Sequence, residues 1–207
     1  MDETRFGYNS NFPDSFRKIF MWLCQDVVSL HDEWSFYIEL FGNKENKEIM
    51  ADMLHASSQI IEESVRNDMT MTICRLSDPH KSSGKINLSF STLVHRVGET
   101  AELSELLEDF QNACNPIQKH RNKRVAHNDL KTKIEPLENR LPGVTRQDID
   151  RIVSLAEQIL NTVSRRYDEV LRFESVHSGG AAVLIDYLNT VKTHFAQEKL
   201  RLLGNTI

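Results

Sequence analysis

The sequence predicts an all-α fold, a bundle of long antiparallel helices with shorter helices flanking it. Apolar residues recur at spacings of three and four along most of the chain, which is the period of amphipathic helices. Eight glycines and five prolines are few for 207 residues, and no segment alternates as a strand does. A chain of this length predicts one domain over residues 1–207. The final helix, 181–203, is either docked on the bundle or an appendage that reaches to a partner.

The first two predicted helices are the longest. Pro13 fits a first-turn position, where its missing N–H costs nothing. An apolar stripe then continues to Phe41, and Gly42-Asn43 ends the helix. A second helix without glycine or proline is predicted from 44 to 77, and it stops at Asp78-Pro79. Two long helices joined by a short turn should form an antiparallel pair.

Shorter elements follow. Residues 79–88 are expected to form a loop, and a short helix is predicted from 89 to 97, stopping at Gly98. The next helix begins near Thr100, and at Asn115-Pro116 a helix either starts afresh or kinks, because the pair fits an N-cap followed by proline at the first helical position.

Beyond an irregular segment over 131–143, Thr145 and Asp148 predict an N-cap with an acidic first turn. The helix that they open is followed by a break at 178–180 and then by the final helix.

Composition restricts the function. The net charge of −5 means that no chain-wide basic field attracts nucleic acid, so any RNA contact must be local. Three widely spaced cysteines, Cys24, Cys74 and Cys114, predict reduced thiols in a cytoplasmic protein. The sequence lacks zinc-binding motifs, and no metal or other cofactor is expected. Neither a signal peptide nor an apolar run long enough for a membrane span is present, so we expect no membrane association.

The stretch from His120 to Asp129, HRNKRVAHND, carries the chemistry. Metal-free RNA cleavage must deprotonate the ribose 2′-OH, stabilise the phosphorane and protonate the leaving 5′-oxygen. Histidine suits proton transfer because its ordinary pKa is near neutrality. Arginine suits the phosphorane because its planar cation pairs with phosphate oxygens, and the amide of Asn122 could orient either group.

The spacing leaves alternatives within this stretch. On an uninterrupted α-helix, Arg121 and His127 differ by about 120° around the axis, so they share a face only if the helix ends or kinks between them. His120, Arg124 and His127 are better aligned at spacings of four and three, which makes Arg124 a rival for the phosphate role. The same cations also fit a solvated basic helix end that complements the helix dipole.

At these residues the chain resembles the HEPN superfamily, whose motif is an arginine, four to six intervening residues and a histidine. Five residues separate Arg121 from His127 here, and a polar residue follows the arginine. The segments 34–41 (WSFYIELF), 75–78 (RLSD) and 84–89 (GKINLS) resemble the AbiU-type abortive-infection family of this superfamily. The likeness extends over scattered positions between about 20 and 195.

The resemblance implies a helical homodimer with the motif at the subunit interface, and an endoribonuclease in phage defence or in a toxin–antitoxin pair. It implies that Arg121 holds the scissile phosphate and His127 transfers a proton. Asn122 occupies the adjacent polar position, with Arg124 and His120 as supporting candidates. RNA and an antitoxin protein are the implied partners.

Two interpretations compete with this one. The chain could be a non-catalytic helical module whose basic stretch docks an acidic protein, an alternative that the negative net charge favours. The other is a membrane-surface role for the final helix, which is disfavoured because its polar face mixes both charge signs.

Two residues near the end of the second helix leave their own alternatives. Arg75 and Asp78 could belong to the active cleft or form an ion pair at the helix end.

Overall fold

The computed structural model describes residues 12–125, 141–168, 171, 173 and 179–204. These residues form seven α-helices, one π-helical turn and a two-stranded ribbon, so the all-α prediction is confirmed. The helices are α1 Asp14–Phe41, α2 Lys44–Leu54, α3 Ala56–Ser77, α4 Phe90–Val97, α5 Ala101–His120, α6 Arg146–Arg165 and α7 Gly180–Gly204; the strands are β1 Lys81–Ser82 and β2 Lys85–Ile86. Among the described residues, no helix is both long and apolar enough to cross a lipid bilayer.

The chain divides into two compact units. Unit 1 comprises Met1–His31 and Met69–Glu174, and unit 2 comprises Asp32–Asp68 and Ser175–Ile207. Unit 1 therefore contains the start of α1, the end of α3, and α4 to α6. Unit 2 contains the remainder of α1 and α3 together with α2 and α7. The single domain over residues 1–207 stays a prediction.

The predicted helix over 44–77 is interrupted, and this part of the prediction is wrong. His55 adopts φ 50° and ψ −127°, and its N–H donates to the carbonyl of Ala51 at 2.9 Å. A positive φ costs a residue other than glycine about 1–3 kcal/mol, so packing must stabilise this conformation of His55. The break lets α2 bury Ile49 and Met50 in the core of unit 2.

Gly42 ends α1 where the sequence predicts. Its N–H donates to the carbonyl of Ile38 at 2.9 Å, and a β-carbon at this position would lie 2.3 Å from that oxygen. The next residue, Asn43, caps α2 by accepting a hydrogen bond from the backbone N–H of Asn46 at 2.8 Å. The turn between α1 and α2 thus requires a residue without a side chain.

We expect Gly42→Ala to lower the free energy of unfolding by about 1–3 kcal/mol, because the backbone must shift to relieve this contact. Urea unfolding measures the effect. Gly143→Ala is the matched control, since a β-carbon there meets nothing within 4 Å. Equal stability of the two variants would contradict the steric explanation.

The loop after α3 contains a small antiparallel ribbon, with Lys81 opposite Ile86 and Ser82 opposite Lys85. Ser83 and Gly84 make the turn with φ of 49° and 79°, as two-residue hairpins require. Strands of two residues are too short to show the alternation of apolar and polar residues by which a strand is predicted. Asn87 fastens the loop, since its side-chain amide donates to the carbonyl of Pro79 at 2.7 Å.

Unit 1 has an aromatic and aliphatic core. Phe90 at the start of α4 meets Phe110 of α5 edge to face, with ring centroids 5.0 Å apart, and both rings are inaccessible to solvent. Helix α5 runs through Asn115 and Pro116 without ending, so a fresh helix start there is wrong. Proline removes one backbone hydrogen bond, but the buried neighbours Cys114 and Ile117 keep this turn packed in the core.

Helix α6 begins with the predicted cap. The Thr145 hydroxyl accepts a hydrogen bond from the Asp148 N–H at 3.3 Å, and the Asp148 carboxylate accepts one from the Thr145 N–H at 2.7 Å. This reciprocal pair is a capping box. It satisfies two backbone donors that the first turn would otherwise leave without partners.

The capping box predicts a pH-dependent contribution to stability. Hydrogen bonds from the backbone N–H and then the hydroxyl of Thr145 lower the pKa of Asp148 below its usual value. The carboxylate therefore stabilises the fold above its unfolded pKa of about 4 and loses this effect as the pH falls through the folded value. Urea unfolding should show Asp148→Asn less stable than wild type near pH 7, with a gap that narrows in acid. A gap independent of pH, or an equal gap for the exposed Asp68→Asn, would contradict this account.

In unit 2, α7 docks through its N-terminal half. Ala181 and Ile185 pack in a buried cluster with Leu40, Phe41, Ile49 and Met50. The Glu39 carboxylate accepts hydrogen bonds from the backbone N–H groups of Gly179 and Ala182 at 3.1 and 3.0 Å. A carboxylate from α1 thus caps the N-terminus of α7, where negative charge is favoured. Further along α7, Lys192 pairs with Asp52 of α2 at 2.7 Å.

Candidate active site

The ends of α3 and α5 are joined by a partly buried hydrogen-bond network. Ser77, which is 3% exposed, donates through its hydroxyl to the carbonyl of Cys74 at 3.0 Å. The same hydroxyl accepts a hydrogen bond from the Gln118 amide of α5 at 2.9 Å. Since Asp78 follows Ser77 and Arg121 lies three residues after Gln118, this network fixes the backbone on both sides of the site.

Arg121 lies at the end of α5 and faces the end of α3. Its Nε donates to the side-chain oxygen of Asn122 at 3.0 Å, and its Nη1 is 3.8 Å from the Asp78 carboxylate. About a quarter of the Arg121 side chain, 26%, is exposed, as is 32% of the Asp78 side chain. The guanidinium is thus held from two sides, remains accessible, and has five N–H donors in all.

The pKa of the Asp78 carboxyl group is higher than usual at this position. Partial burial raises the pKa of its carboxyl group, and the Arg121 cation acts in the opposite direction. The 3.8 Å between Arg121 Nη1 and the Asp78 carboxylate is typical of a charge contact that solvent screens. Such a contact is weaker than a bidentate ion pair. An incoming phosphate can therefore compete for the same guanidinium.

The thiols beneath the site are buried and form no disulfide with one another. Burial raises the pKa of Cys74 to about 11, with Arg121 lowering it and Asp78 raising it. Burial also raises the pKa of Cys114. Both thiols therefore stay protonated at neutral pH, which suits a packing role and excludes activated thiolate nucleophiles.

The start of the motif departs from α-helical geometry. Residues Arg121–Val125 form a π-helical turn, in which each hydrogen bond spans one residue more than in an α-helix. The 120° separation expected for Arg121 and His127 assumes an uninterrupted α-helix and does not apply. The alignment of His120 with Arg124 at a spacing of four was also argued for an α-helix, and it stays a prediction. Short π-helical segments occur frequently at functional sites.

His120 is engaged with the backbone. Its Nε2 lies 2.6 Å from the carbonyl oxygen of Pro142, so this nitrogen carries the proton and donates it. The contact ties the end of α5 to the segment before α6. The supporting role of His120 at the site stays a prediction.

Three predicted site residues remain, namely Asn122, Arg124 and His127. Asn122 is exposed and holds Arg121. The backbone of Arg124 belongs to the π-helical turn. His127 lies outside the described residues.

Arg75 does not pair with Asp78. Its Nη2 lies 4.0 Å from the Asp26 carboxylate of α1 and 2.9 Å from the Thr72 hydroxyl. The predicted ion pair at the end of α3 is therefore wrong, because Asp78 faces Arg121 instead. The sequence marks Asp78 as a helix stop and as a candidate for the active cleft, and Arg121 as a motif residue, but nothing local in it signals that the two meet.

Comparison with known families gives one match. The family model described as AbiU2, of the HEPN group, matches residues 14–176, well over half of the chain. The matched segment includes Asp78, Arg121 and His127. No curated protein and no solved structure matches the sequence.

Proposed function

Because the chain belongs to the HEPN AbiU2 family of abortive-infection type, we propose that it is a metal-independent endoribonuclease acting in phage defence or as a toxin of a toxin–antitoxin pair. The observation that carries the proposal is the placement of Arg121. A partly accessible guanidinium, oriented by Asn122 and approached by Asp78, lies at the start of the motif that the family shares. Its substrate would be RNA, in the cytoplasm.

The reaction divides between two residue types. A histidine, His127 in our proposal, removes the proton from the ribose 2′-OH, and the oxygen attacks the adjacent phosphorus. The bond to the 5′-oxygen then breaks, and protonation of that oxygen by a histidine releases a 5′-hydroxyl strand. The other strand ends in a 2′,3′-cyclic phosphate. Arg121 stabilises the extra negative charge on the phosphorane, because its planar N–H donors match two phosphate oxygens.

One chain supplies a single Arg121 and a single His127, whereas the reaction needs both a proton acceptor and a proton donor. A two-fold homodimer with the motifs at its interface would bring two copies of each together. We therefore propose a homodimer in which both subunits contribute to cleavage.

The test compares an RNA strand with its all-deoxy counterpart in the presence of a chelator. The proposal predicts that only the RNA is cut and that its products carry cyclic phosphates, because the attacking nucleophile is the 2′-OH. Cleavage of both strands, or products with 5′-phosphates, would contradict 2′-OH attack.

A non-catalytic partner-binding module is the second candidate. The observation that favours it is Asp78, whose carboxylate already offsets part of the Arg121 charge. In this case the basic stretch docks an acidic protein, and charge reversal of Lys123 and Arg124 should weaken binding to an acidic peptide such as polyglutamate. His127→Ala should leave that binding unchanged. Unaltered binding after the charge reversals would exclude this candidate.

A further inference from the structure

A second positively charged region lies in the loop after α3 and on α4. We define the basic surface as His80, Lys81, Lys85, His95 and Arg96, of which all but the partly buried His80 are exposed. Residues 79–98 contain three permanent cations and no aspartate or glutamate, in a chain with 30 acidic and 25 basic residues. At the average frequency of the chain, 30 in 207, these twenty residues would contain about three acids. The surface is therefore a local positive field on an acidic protein.

The two lysines stand on the ribbon. Lys81 belongs to β1 and Lys85 to β2, in adjacent pairs of the antiparallel register. Asn87 holds the base of this ribbon, because its N–H donates to the carbonyl of His80 at 3.0 Å and its side chain donates to the carbonyl of Pro79 at 2.7 Å. The lysines are thus presented by a fastened loop. Cations in the last turn of α4 also complement the helix dipole, which accounts for Arg96 but not for Lys81 and Lys85.

His80 and His95 form a pair of flat rings inside this field. Their ring centroids are 4.4 Å apart, with planes inclined at 34°. The Thr92 hydroxyl donates to the carbonyl of Asn87 at 2.6 Å, so its oxygen accepts from Nδ1 of His80 at 2.9 Å. This bond fixes the orientation of the ring. Desolvation, then the charges of His95, Arg96 and Lys81, lower the pKa of His80, which favours a neutral ring at neutral pH.

The basic surface begins beside the candidate active site. Asp78, whose carboxylate approaches Arg121 at 3.8 Å, precedes His80 by two residues. Two consecutive Cα–Cα steps span at most about 7.6 Å, so the His80 backbone lies close to the residue that contacts Arg121. At the far end of α4, Arg166 donates to the carbonyl of Gly98 at 3.3 Å and to the Thr100 hydroxyl at 2.8 Å. Arg166 therefore places a further cation at this end of α4. Acidic residues resume in the sequence here, with Glu99 and Glu102.

We propose that the basic surface binds the single-stranded RNA next to the scissile bond, with Lys81, Lys85 and Arg96 contacting phosphates and the exposed ring of His95 stacking on a base. Phosphate contacts supply most of the affinity of sequence-independent binding. Bases splayed from a single strand stack on aromatic side chains, histidine included. This inference rests on the proposed function, and it names the path by which the substrate reaches Arg121.

The test measures the binding of a short, fully 2′-O-methylated RNA, which has no free 2′-OH and cannot be cut. Lys81→Gln, Lys85→Gln and Arg96→Gln combined should weaken binding at least tenfold. They should also make the dependence of log K on log salt shallower by about 2, since each single-stranded phosphate contact contributes about 0.7. The matched control removes three exposed cations elsewhere, by Lys44→Gln, Lys199→Gln and Arg201→Gln, and should bind nearly as wild type does. His95→Ala should weaken binding, and His95→Phe should restore it.

Several results would overturn the proposal. These are equal weakening by both triple variants, no binding of the strand by wild type, or surface-dependent binding of polyglutamate in place of the strand. Cleavage of the unmodified RNA is measured in parallel, so that the two proposals fail separately. Surface-dependent binding without cleavage would contradict the nuclease and leave the basic surface intact. If the RNA is cleaved but the triple variant of the basic surface binds the methylated strand as wild type does, the basic surface would be contradicted and the nuclease would stand.

Discussion

Arg121→Ala should reduce RNA cleavage by about a hundredfold to a thousandfold, the usual effect of removing one preorganised charge-stabilising donor. The reason is geometric as well as electrostatic, since Nε is oriented by Asn122 and the guanidinium is presented beside Asp78. Arg121→Lys keeps the charge but lacks the planar fork that matches two phosphate oxygens, so it should remain severely impaired. Initial rates on a labelled RNA measure both variants.

Arg75→Ala provides the matched control for Arg121. Arg75 is also an arginine near the end of α3, but it pairs with Asp26 and Thr72, so its loss should leave the rate near that of wild type. Full activity of Arg121→Ala would remove Arg121 from the mechanism. An equal loss in the Arg75 variant would show that general charge near α3, and not the Arg121 geometry, determines the rate.

Phe110→Ala should lower the free energy of unfolding by about 3–5 kcal/mol, a large share of the roughly 5–15 kcal/mol that stabilises a typical domain. The Phe110 ring is inaccessible to solvent and meets Phe90 edge to face at 5.0 Å. Its removal would leave a cavity between α5 and the first residue of α4. Chemical denaturation followed by circular dichroism measures the change.

Phe195→Ala makes the same chemical change on α7, where the ring is 64% exposed, and it should alter stability by well under 1 kcal/mol. A similar loss in both variants would contradict the burial argument. Because Phe90 opens α4, the Phe110 variant should also loosen the basic surface and bind RNA more weakly than the Phe195 variant.

Local signals in the sequence predicted much of the fold. Gly42 ends α1, Ser89 and Gly98 bound α4, and Thr145 with Asp148 opens α6, because caps and turns depend on residues within one helical turn. The break at His55 has no such signal. It exchanges a favourable backbone conformation for the packing of Ile49 and Met50, and that balance depends on residues distant in the chain.

The same distinction applies to other contacts. Glu39 caps α7 across 140 residues, so no cap motif next to α7 indicates it. Arg121 and its chemistry were predicted from one short motif. Asp78 was considered for the active cleft, but its contact with Arg121 was not predicted, because periodicity does not show which helix ends meet. The π-helical turn at 121–125 likewise departs from the 3.6-residue period on which the spacing argument depended.

The metal-free cleavage assay with wild type, His127→Ala and the matched control His194→Ala tests the central claim most directly. Each protein is incubated with labelled RNA in chelator, and the product ends are identified. The account predicts that wild type and His194→Ala leave 2′,3′-cyclic phosphates, whereas His127→Ala is folded and at least a hundredfold slower, as expected on losing a general acid–base group. Undiminished cleavage by folded His127→Ala, or no cleavage by wild type across several RNAs, would contradict it.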